Sequence, residues 1–257
     1  MRRSLDYNQY YYEQTANYGG ACWTPKEQRR LEMVCALAPE AARTVLDIGS
    51  GGGELVEALR RNCRWAVATD CSPAPMARYG GERVLCDDQA LPFADEGFDL
   101  VTCTEVLEHL DDERYERVLG EIRRVARRWV LISVPNEEDL AQTLAKCHAC
   151  GHYYTLYGHL RRFDRALMQN LLPSFAVVRE EVGDEDVGYN RALLWVRQHM
   201  GRRWAYWKCA VCARCGAPAR PPRRRNPIVL GCDFMNNRIP WRPRRRTPLY
   251  VLYRRTS

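Results

Sequence analysis

Long apolar runs and lysine are what this sequence most clearly lacks. No segment approaches the ~20 consecutive apolar residues that a membrane-spanning helix needs, which excludes a spanning segment. Leu5 to Tyr12, after the basic start, is polar and aromatic where a secretory signal would be apolar, so we expect a cytoplasmic protein. Only three of the 39 basic residues are lysines, so arginine carries nearly all of the positive charge.

Acidic residues are nearly missing from the C-terminal part. Residues 201–257 contain 15 lysines and arginines and one acid, Asp233, whereas residues 1–200 contain 24 basic and 31 acidic residues. The net charge of +7 therefore combines a body near −7 with a basic region near +14. The arginine clusters at 221–225 and 242–246 have three interpretations: solvated loops, which we favour, a phosphate-binding surface for RNA, or a site for an anionic substrate or lipid headgroup.

The twelve cysteines are expected to be reduced in the cytoplasm, and two pairs of them have metal-ligand spacing. Residues 147–151 and 212–216 are both C-x-x-C-G, in which two thiolates bind one tetrahedral zinc. The 61 intervening residues exceed the spacing of a contiguous zinc ribbon, but both pairs lie in insertions expected at the same end of the sheet. The predicted zinc ligands are Cys147, Cys150, Cys212 and Cys215, with Cys209, His148 and His152 as alternatives, and unrelated thiols as the alternative to a metal site.

Apolar runs of strand length alternate with helical segments from about residue 28 onward, which predicts an α/β fold with a mostly parallel sheet. Strands are predicted at 44–48, 65–70, 83–86, 98–104, 129–134, 175–182 and 249–253. Helices are predicted at 53–61, 112–127 and 163–172. The second of these helices has the clearest pattern, because its apolar residues recur at three- and four-residue spacing.

A glycine-rich loop follows the first predicted strand and opens a helix. In Asp47-Ile48-Gly49-Ser50-Gly51-Gly52-Gly53 the glycines permit a sharp turn and let a ligand approach the backbone. Asp70 ends the second predicted strand, 21 positions after Gly49, where a carboxylate can accept hydrogen bonds from both hydroxyls of a ribose. The two features predict a nucleoside site at the carboxyl end of the sheet.

Residues 40–136 resemble the class I S-adenosylmethionine-dependent methyltransferases, specifically those with a type 11-like domain. The glycine-rich loop is similar to their first motif, and Asp87 to Phe93 to their D-x-x-x-L-P-F segment. Glu105 to Leu110 resembles their V-L-E-H-L turn, and Ser133 to Asn136 the end of their fifth strand. A dinucleotide dehydrogenase is the nearest rival, but its G-x-G-x-x-G fingerprint leaves the later segments unexplained.

The resemblance implies both a cofactor site and an architecture. Asp70 would bind the ribose, and Asp87 would face the adenine amino group with the Asp88 backbone nearby. The residues implied to bind S-adenosylmethionine are Asp47, Gly49, Ser50, Gly51, Gly53, Asp70, Cys71, Asp87, Asp88, Gln89, Thr104 and Glu105. The implied fold is a Rossmann-like, seven-stranded, mostly parallel sheet with helices on both faces and a small zinc-stapled insertion subdomain. Its expected parts are an N-terminal helical cap (1–40), a core (41–182 and 248–257, with an insertion at 137–162) and a zinc-knuckle, arginine-rich insertion (183–247).

Two histidines are candidate general bases for an acceptor hydroxyl. His109 is favoured, because the turn after the fourth strand faces the methyl donor in this fold, and His159 is the second candidate. Glu105, Glu108 and His109 also resemble the segment with which ubiquinone-pathway O-methyltransferases and small-RNA 2′-O-methyltransferases hold a divalent cation, together with a later histidine. Here His152 or His159 would be that histidine, although relatives with the same turn also work without a metal.

The sequence therefore predicts an S-adenosylmethionine-dependent methyltransferase whose C-terminal region is organised by zinc. The predicted acceptor is an oxygen or nitrogen of a small molecule, a saccharide or a lipid-linked metabolite, methylated by in-line displacement. Two alternatives stay open. The first is an RNA methyltransferase that uses the basic C-terminal region, and the second is a non-catalytic, zinc-containing binding protein.

Overall fold

The computed structural model describes residues 24–208, 210–221 and 226–256. Its strands are β1 (Thr44–Ile48), β2 (Trp65–Asp70), β3 (Arg83–Leu85), β4 (Phe98–Thr104), β5 (Ala126–Val134), β6 (Leu144–Lys146), β7 (Tyr153–Thr155), β8 (Phe175–Val187) and β9 (Arg244–Arg255). Its helices are α1 (Pro25–Leu37), α2 (Glu54–Leu59), α3 (Pro73–Met76), α4 (Asp112–Val125), α5 (Arg165–Gln169), α6 (Arg191–His199) and α7 (Pro227–Arg238).

Seven strands form one sheet in the order β3-β2-β1-β4-β5-β9-β8. The first five of these run parallel to one another, while β9 is antiparallel to both of its neighbours. The predicted α/β fold with a mostly parallel seven-stranded sheet is confirmed. The strand order reverses between β1 and β4, and ligands of open α/β sheets bind at the carboxyl edge beside such a reversal.

Helices cover both faces of the sheet because the central strands are apolar on both sides. Leu46 and Ile48 of β1 are buried with the apolar stripe of α4, whereas Val45 is buried with residues of α1 and α2. Successive side chains of a strand point to opposite faces, so the apolar residues of β1 contribute to two cores.

Helix α4 ends earlier than the sequence predicts. Its N-cap Asp111 accepts a hydrogen bond from the backbone N of Arg114, and its whole apolar stripe is buried. The helix ends at Val125 because Ala126 already pairs with Phe98 of β4. The prediction that it continues to residue 127 is wrong by two residues, and the helix predicted at 163–172 is limited to α5.

Strands β8 and β9 extend beyond the carboxyl edge of the parallel strands. They pair from Phe175 opposite Arg255 to Val187 opposite Arg244, so both continue past the predicted core limits at 182 and 248. The chain between them contains α6 and α7, which pack on each other and which the sequence pattern did not predict. Within the described ranges, no helix is both long and apolar enough to cross a membrane.

Candidate active site

The loop between β1 and α2 has a backbone that only glycine adopts easily. Gly49, Gly51 and Gly53 have φ values of 69°, 55° and 79°. A Cβ at Gly49 would collide with Val106, and one at Gly53 would collide with the ring of Tyr79. The three glycines of the first motif are therefore required by the turn itself.

Asp70 holds the glycine-rich loop in place. Its Oδ2 accepts a hydrogen bond of 2.8 Å from the backbone N of Gly51, and its Oδ1 accepts one of 2.8 Å from that of Ser72. Burial raises the pKa of Asp70, although these N–H groups work in the opposite direction. Ser50 also fixes the loop to β2, since its backbone N and its Oγ each donate a 2.8 Å hydrogen bond to the carbonyl of Thr69.

Asp47 supports the loop from beneath. Its side chain is 1% exposed, and its Oδ1 accepts a 2.6 Å hydrogen bond from Thr102 Oγ1. Burial raises the pKa of Asp47 to about 7. A carboxylate buried in this way stabilises the loop and is not accessible to a ligand. The structure therefore assigns a supporting position to this predicted cofactor-binding residue.

The acids after β3 are arranged differently from the expectation. Both carboxylate oxygens of Asp87 accept hydrogen bonds from Gln89, and the residue is exposed. By contrast, Asp88 Oδ1 is buried and has no hydrogen-bond partner among the described residues. Burial, together with the nearby Asp70, raises the pKa of Asp88 to about 7. Of these two acids, Asp88 is therefore the one with a buried carboxylate oxygen that has no partner among the described residues.

This arrangement predicts a pH-dependent stability of the cofactor-free protein. Because the folded-state pKa of Asp88 is raised from 3.8 to about 7, the folded chain keeps a proton that the unfolded chain loses. The contribution of Asp88 to stability therefore falls as the pH rises from about 4 to 7, by at most about 4 kcal/mol. We expect Asp88→Asn to raise the free energy of unfolding at pH 8 by more than at pH 5, as measured by urea denaturation. Asp87→Asn is the exposed control, and equal effects of Asp88→Asn at both pH values would contradict the prediction.

A cavity of about 170 Å³ opens beside the end of β4. Glu105, with a φ of 56°, projects from the strand end, and its Oε2 lies 3.1 Å from a guanidinium nitrogen of Arg30 on α1. Ser133 Oγ, at the end of β5, lies 3.3 Å from the other carboxylate oxygen of Glu105. Thr104 and Tyr250 also line this cavity. Two of the predicted cofactor-binding residues, Thr104 and Glu105, therefore line a cavity at the carboxyl edge of the sheet.

A second cavity, of about 580 Å³, lies farther out between α1 and the extended β8–β9 pair. Arg30 and Tyr250 line both cavities, which places the two side by side. Its walls include cations such as Arg246 and anions such as Glu185. The lining of this cavity therefore combines positive and negative side chains.

Buried ionisable groups cluster in the turn after β4 and the insertion after β5. The His109 and His159 rings have centroids 4.8 Å apart, and His159 Nδ1 is hydrogen-bonded to Glu138 Oε2. Burial lowers the pKa of His109 to about 3 and raises that of Glu108 well above its usual value. Glu138, which is 5% exposed, was missed by the sequence analysis. The one sequence feature that could have indicated Glu138 is its position as an acidic residue shortly after the end of the predicted fifth strand.

The predicted cation ligands divide into two groups. Ligand atoms of Glu108, His109 and His159 all lie within 4.8 Å of one another. Glu105 is instead engaged by Arg30 and Ser133, which sets it apart from that group. His152 lies in the cysteine-containing hairpin, where its carbonyl accepts from the backbone N of Cys147. Of the two later histidines, the fold therefore brings only His159 to Glu108 and His109.

The two C-x-x-C-G segments meet in the folded chain. Cys147 Sγ lies 3.6 Å from Cys215 Sγ, and Cys150 Sγ lies 3.6 Å from Cys212 Sγ. All four sulfur atoms lie within 4.8 Å of one another. Gly151 and Gly216, with φ of 72° and 69°, let each segment turn back on itself. Four thiols at these distances match a tetrahedral thiolate site. The alternative ligand Cys209 lies outside the described residues, and His148 is exposed and outside the sulfur cluster.

Comparisons with known proteins agree with this geometry. Residues 46–132 match the sequence profile of the family described as "Methyltransferase domain". The chain is 29% identical over 184 residues to an uncharacterized methyltransferase of Mycobacterium sp. strain KMS, covering 66% of this chain and 70% of the relative. It is 35% identical over 109 residues to the ubiquinone biosynthesis O-methyltransferase of Hahella chejuensis, covering 38% of this chain and 44% of that one. A SAM-dependent methyltransferase structure from Archaeoglobus fulgidus has the same fold, with a TM-score of 0.56, 17% identity, and coverage of 96% of this chain and 100% of that one.

The fold, the glycine-rich loop and the matched segment define the class of this protein. The chain carries a methyltransferase domain on a Rossmann-like sheet. It is an enzyme of the S-adenosylmethionine-dependent methyltransferase class. The acceptor is a separate question.

Proposed function

We propose that this enzyme methylates an oxygen or nitrogen of a small molecule, a saccharide or a lipid-linked metabolite. The observation that carries the proposal is the buried cluster of Glu108, His109, His159 and Glu138 at the turn after β4. A methyl acceptor needs a group that takes up its proton, and this cluster supplies one at the carboxyl edge of the sheet. The cavity of about 580 Å³ between α1 and the β8–β9 pair has the size of a site for a small molecule.

The residues at the carboxyl edge fit S-adenosylmethionine. Gly49, Gly51 and Gly53 supply the positive φ angles of the tight loop after β1, and Asp70 lies at the end of β2, where a carboxylate can accept from a ribose. The buried, unpartnered Oδ1 of Asp88 suits the adenine amino group, which is a hydrogen-bond donor. When bound, the cofactor supplies an electrophilic methyl group. The protein must then position the acceptor and exclude water.

His159 is the better candidate for the general base. A carboxylate oxygen only accepts hydrogen bonds, so contact with Glu138 keeps the proton of His159 on Nδ1 and leaves Nε2 basic. The pKa of His109, at about 3, makes that ring a weak base, contrary to the sequence-based preference for it. In our proposal His109 packs against His159 and orients it.

A divalent cation at Glu108, His109 and His159 is the second role that this cluster supports. The three ligand atoms lie close enough together to bind one ion. Such an ion would polarise an acceptor hydroxyl. Activity that is lost on chelation and restored by Mg²⁺ would select this role over proton transfer by His159.

We also propose that Cys147, Cys150, Cys212 and Cys215 bind one structural zinc. The site would join the insertion after β5 to the segment before α7, and a small core that contains Tyr154 surrounds it. Reduced thiols at this position are consistent with a cytoplasmic location.

The RNA alternative has less support. Arg244 and Arg245 pair with Glu185 and Asp186 across the β8–β9 strands, so part of the 242–246 cluster is neutralised within the sheet and is not a set of solvated loops. An RNA surface would present these cations to phosphates.

The test is a transfer assay with S-adenosylmethionine labelled in its methyl group. A small-molecule and lipid extract and a total RNA preparation are offered separately as acceptors. We expect label in the first, and a kcat about 100-fold lower in His159→Asn, because general bases contribute about 100-fold or more. Binding of S-adenosylhomocysteine by this variant should be unchanged.

His152→Asn is the matched control, because His152 lies outside the cluster. It should retain activity. Label found in RNA alone would refute the proposed acceptor class, and an unimpaired His159→Asn would refute the assigned base.

A further inference from the structure

Tyr250 of β9 is a buried residue whose hydroxyl has no partner among the described residues. The residue is 2% exposed, and its side chain lines a cavity. By contrast, the hydroxyl of Tyr253 on the same strand donates to the Met168 carbonyl at 2.7 Å. Burial, together with the nearby Glu105 carboxylate, raises the pKa of Tyr250, so its hydroxyl stays protonated at neutral pH. Buried polar groups are normally hydrogen-bonded, so an unpaired hydroxyl in a cavity wall indicates a ligand that offers an acceptor atom.

Tyr250 lies where the two cavities meet. It lines both the larger cavity, of about 580 Å³, and the smaller one, of about 170 Å³, and Arg30 does the same. Strand pairing fixes its position, because it lies opposite Ser133 of β5 and Glu181 of β8. One guanidinium nitrogen of Arg30 lies 3.1 Å from Glu105 Oε2, so the charge of Arg30 is already paired. Tyr250 therefore supplies a fixed hydrogen-bond donor at the junction of the cavities.

Several charged groups around the larger cavity are paired with one another. Arg29 Nε on α1 lies 2.7 Å from Asp184 Oδ2 on β8, which joins the two walls of the cavity. Glu185 Oε1 lies 3.5 Å from a guanidinium nitrogen of Arg244 on β9. These residues contribute little net charge to the cavity.

Two cations of the larger cavity have no ion-pair partner among the described residues. They are Lys26 on α1 and Arg246 on β9. Asn136, just after β5, donates its Nδ2 to the Arg246 carbonyl at 2.9 Å, which holds the Arg246 backbone near the carboxyl edge of the sheet. Among the described lining residues, the acid that forms no ion pair is Glu32, which accepts a 2.9 Å hydrogen bond from Gln28. The unpaired charge of the cavity is therefore positive on balance.

We propose that the methyl acceptor is an anion, with a carboxylate or phosphate group that binds Arg246 in the larger cavity and an oxygen or nitrogen that accepts a hydrogen bond from Tyr250. Arginine pairs with both kinds of anion through charge-assisted hydrogen bonds, and Lys26 adds a second, more flexible charge. Bound in this way, the acceptor would extend past Tyr250 into the smaller cavity. Burial and the nearby Glu105 raise the pKa of Glu108, which places the proposed base cluster close to that cavity. This step rests on the proposed methylation of a small molecule.

The first test is an equilibrium retention assay on the full-length protein loaded with S-adenosylhomocysteine. The protein is mixed with a small-molecule extract, unbound compounds pass an ultrafiltration membrane, and the retained compounds are identified by mass spectrometry. We expect the main retained compound to carry a carboxylate or a phosphate. Treating the extract with phosphatase distinguishes the two, because it abolishes the retention of a phosphate ester only. Retention of neutral or cationic compounds alone, or of none, would overturn the proposal.

Arg246→Gln is expected to lower the retention of this anion at least about tenfold, because it removes a charge-assisted hydrogen bond. Arg246→Lys should recover part of the retention, since it restores the charge without the planar guanidinium. Arg83→Gln is the matched control, because Arg83 is also exposed but lies on β3, at the opposite edge of the sheet from β8. All three variants should bind S-adenosylhomocysteine as the unmodified protein does. Undiminished retention by Arg246→Gln, or an equal loss in Arg83→Gln, would overturn the proposal.

Tyr250→Phe separates a role in binding from a role in folding. It should lower retention at least about threefold, yet leave the midpoint of urea unfolding unchanged, because the hydroxyl has no partner among the described residues. Tyr253→Phe is the matched control, since it removes the hydrogen bond to the Met168 carbonyl. That variant should have a lower midpoint and normal retention. Unchanged retention by Tyr250→Phe would overturn the role assigned to its hydroxyl.

The retention assay involves no methyl transfer, which separates the anionic acceptor from the proposed function. Label transferred from S-adenosylmethionine to a neutral small molecule would support the proposed function and overturn the anionic acceptor. Label found in RNA alone would refute the proposed function. Loss of anion retention in Arg246→Gln would then still identify an anion site between α1 and the β8–β9 pair.

Discussion

Replacing Asp70 with alanine is expected to weaken the binding of S-adenosylhomocysteine by at least about 100-fold. The substitution removes the proposed ribose acceptor and also the two hydrogen bonds that hold Gly51 and Ser72. Hydrogen bonds to charged groups contribute about 1.5–3 kcal/mol each, and about 2.7 kcal/mol corresponds to 100-fold in affinity. Isothermal titration calorimetry measures the change directly.

Asp87→Ala is the control for Asp70→Ala, since the Asp87 carboxylate is exposed and, among the described residues, is hydrogen-bonded to Gln89 only. It should change the affinity by less than about threefold. Asp70→Asn adds a variant of unchanged size, which keeps one acceptor oxygen. If correctly folded Asp70→Ala bound S-adenosylhomocysteine as well as the unmodified enzyme, the proposed cofactor site would be wrong.

Cys212→Ser is expected to abolish zinc binding and to lower the midpoint of thermal unfolding by at least about 10 °C. Structural zinc in small domains contributes about 10–16 kcal/mol of apparent binding free energy, and about 1 kcal/mol shifts the midpoint by roughly 2–4 °C in a protein of this size. The proposed zinc closes the long loop between Cys150 and Cys212, whose Sγ atoms lie 3.6 Å apart. Elemental analysis and scanning calorimetry provide the two readouts.

Cys63→Ser is the matched control for zinc, because Cys63 lies in the loop before β2, apart from the four clustered sulfur atoms. It should retain about one zinc per chain and nearly the original midpoint. Cys212→Ser should still bind S-adenosylhomocysteine, since the cofactor residues lie in the loops after β1 to β4. A purified, folded protein without zinc would refute the site.

The order of the motifs along the chain was sufficient to predict the class of fold. Asp47 to Gly53, Asp70 and the turn at Glu105 each follow an apolar run, and parallel strands bring their carboxyl ends to one edge. The antiparallel last strand was predicted at 249–253, but it begins at Arg244. The sequence pattern did not reveal residues 244–248 as part of the strand. The arginines of this segment pair with acids on β8, and such contacts join residues nearly 60 positions apart.

The sequence by itself determined the fold class, the glycine-rich loop and the two cysteine pairs, because each depends on residue types at short spacing. Only the tertiary structure decided which groups meet. It exposed Asp87 and buried an oxygen of Asp88, brought Glu138 to His159, and placed Cys147 beside Cys215. It also formed α7 and left its apolar face outward. Contacts of this kind depend on strand order and on how the insertions cross the sheet, which local spacing does not encode.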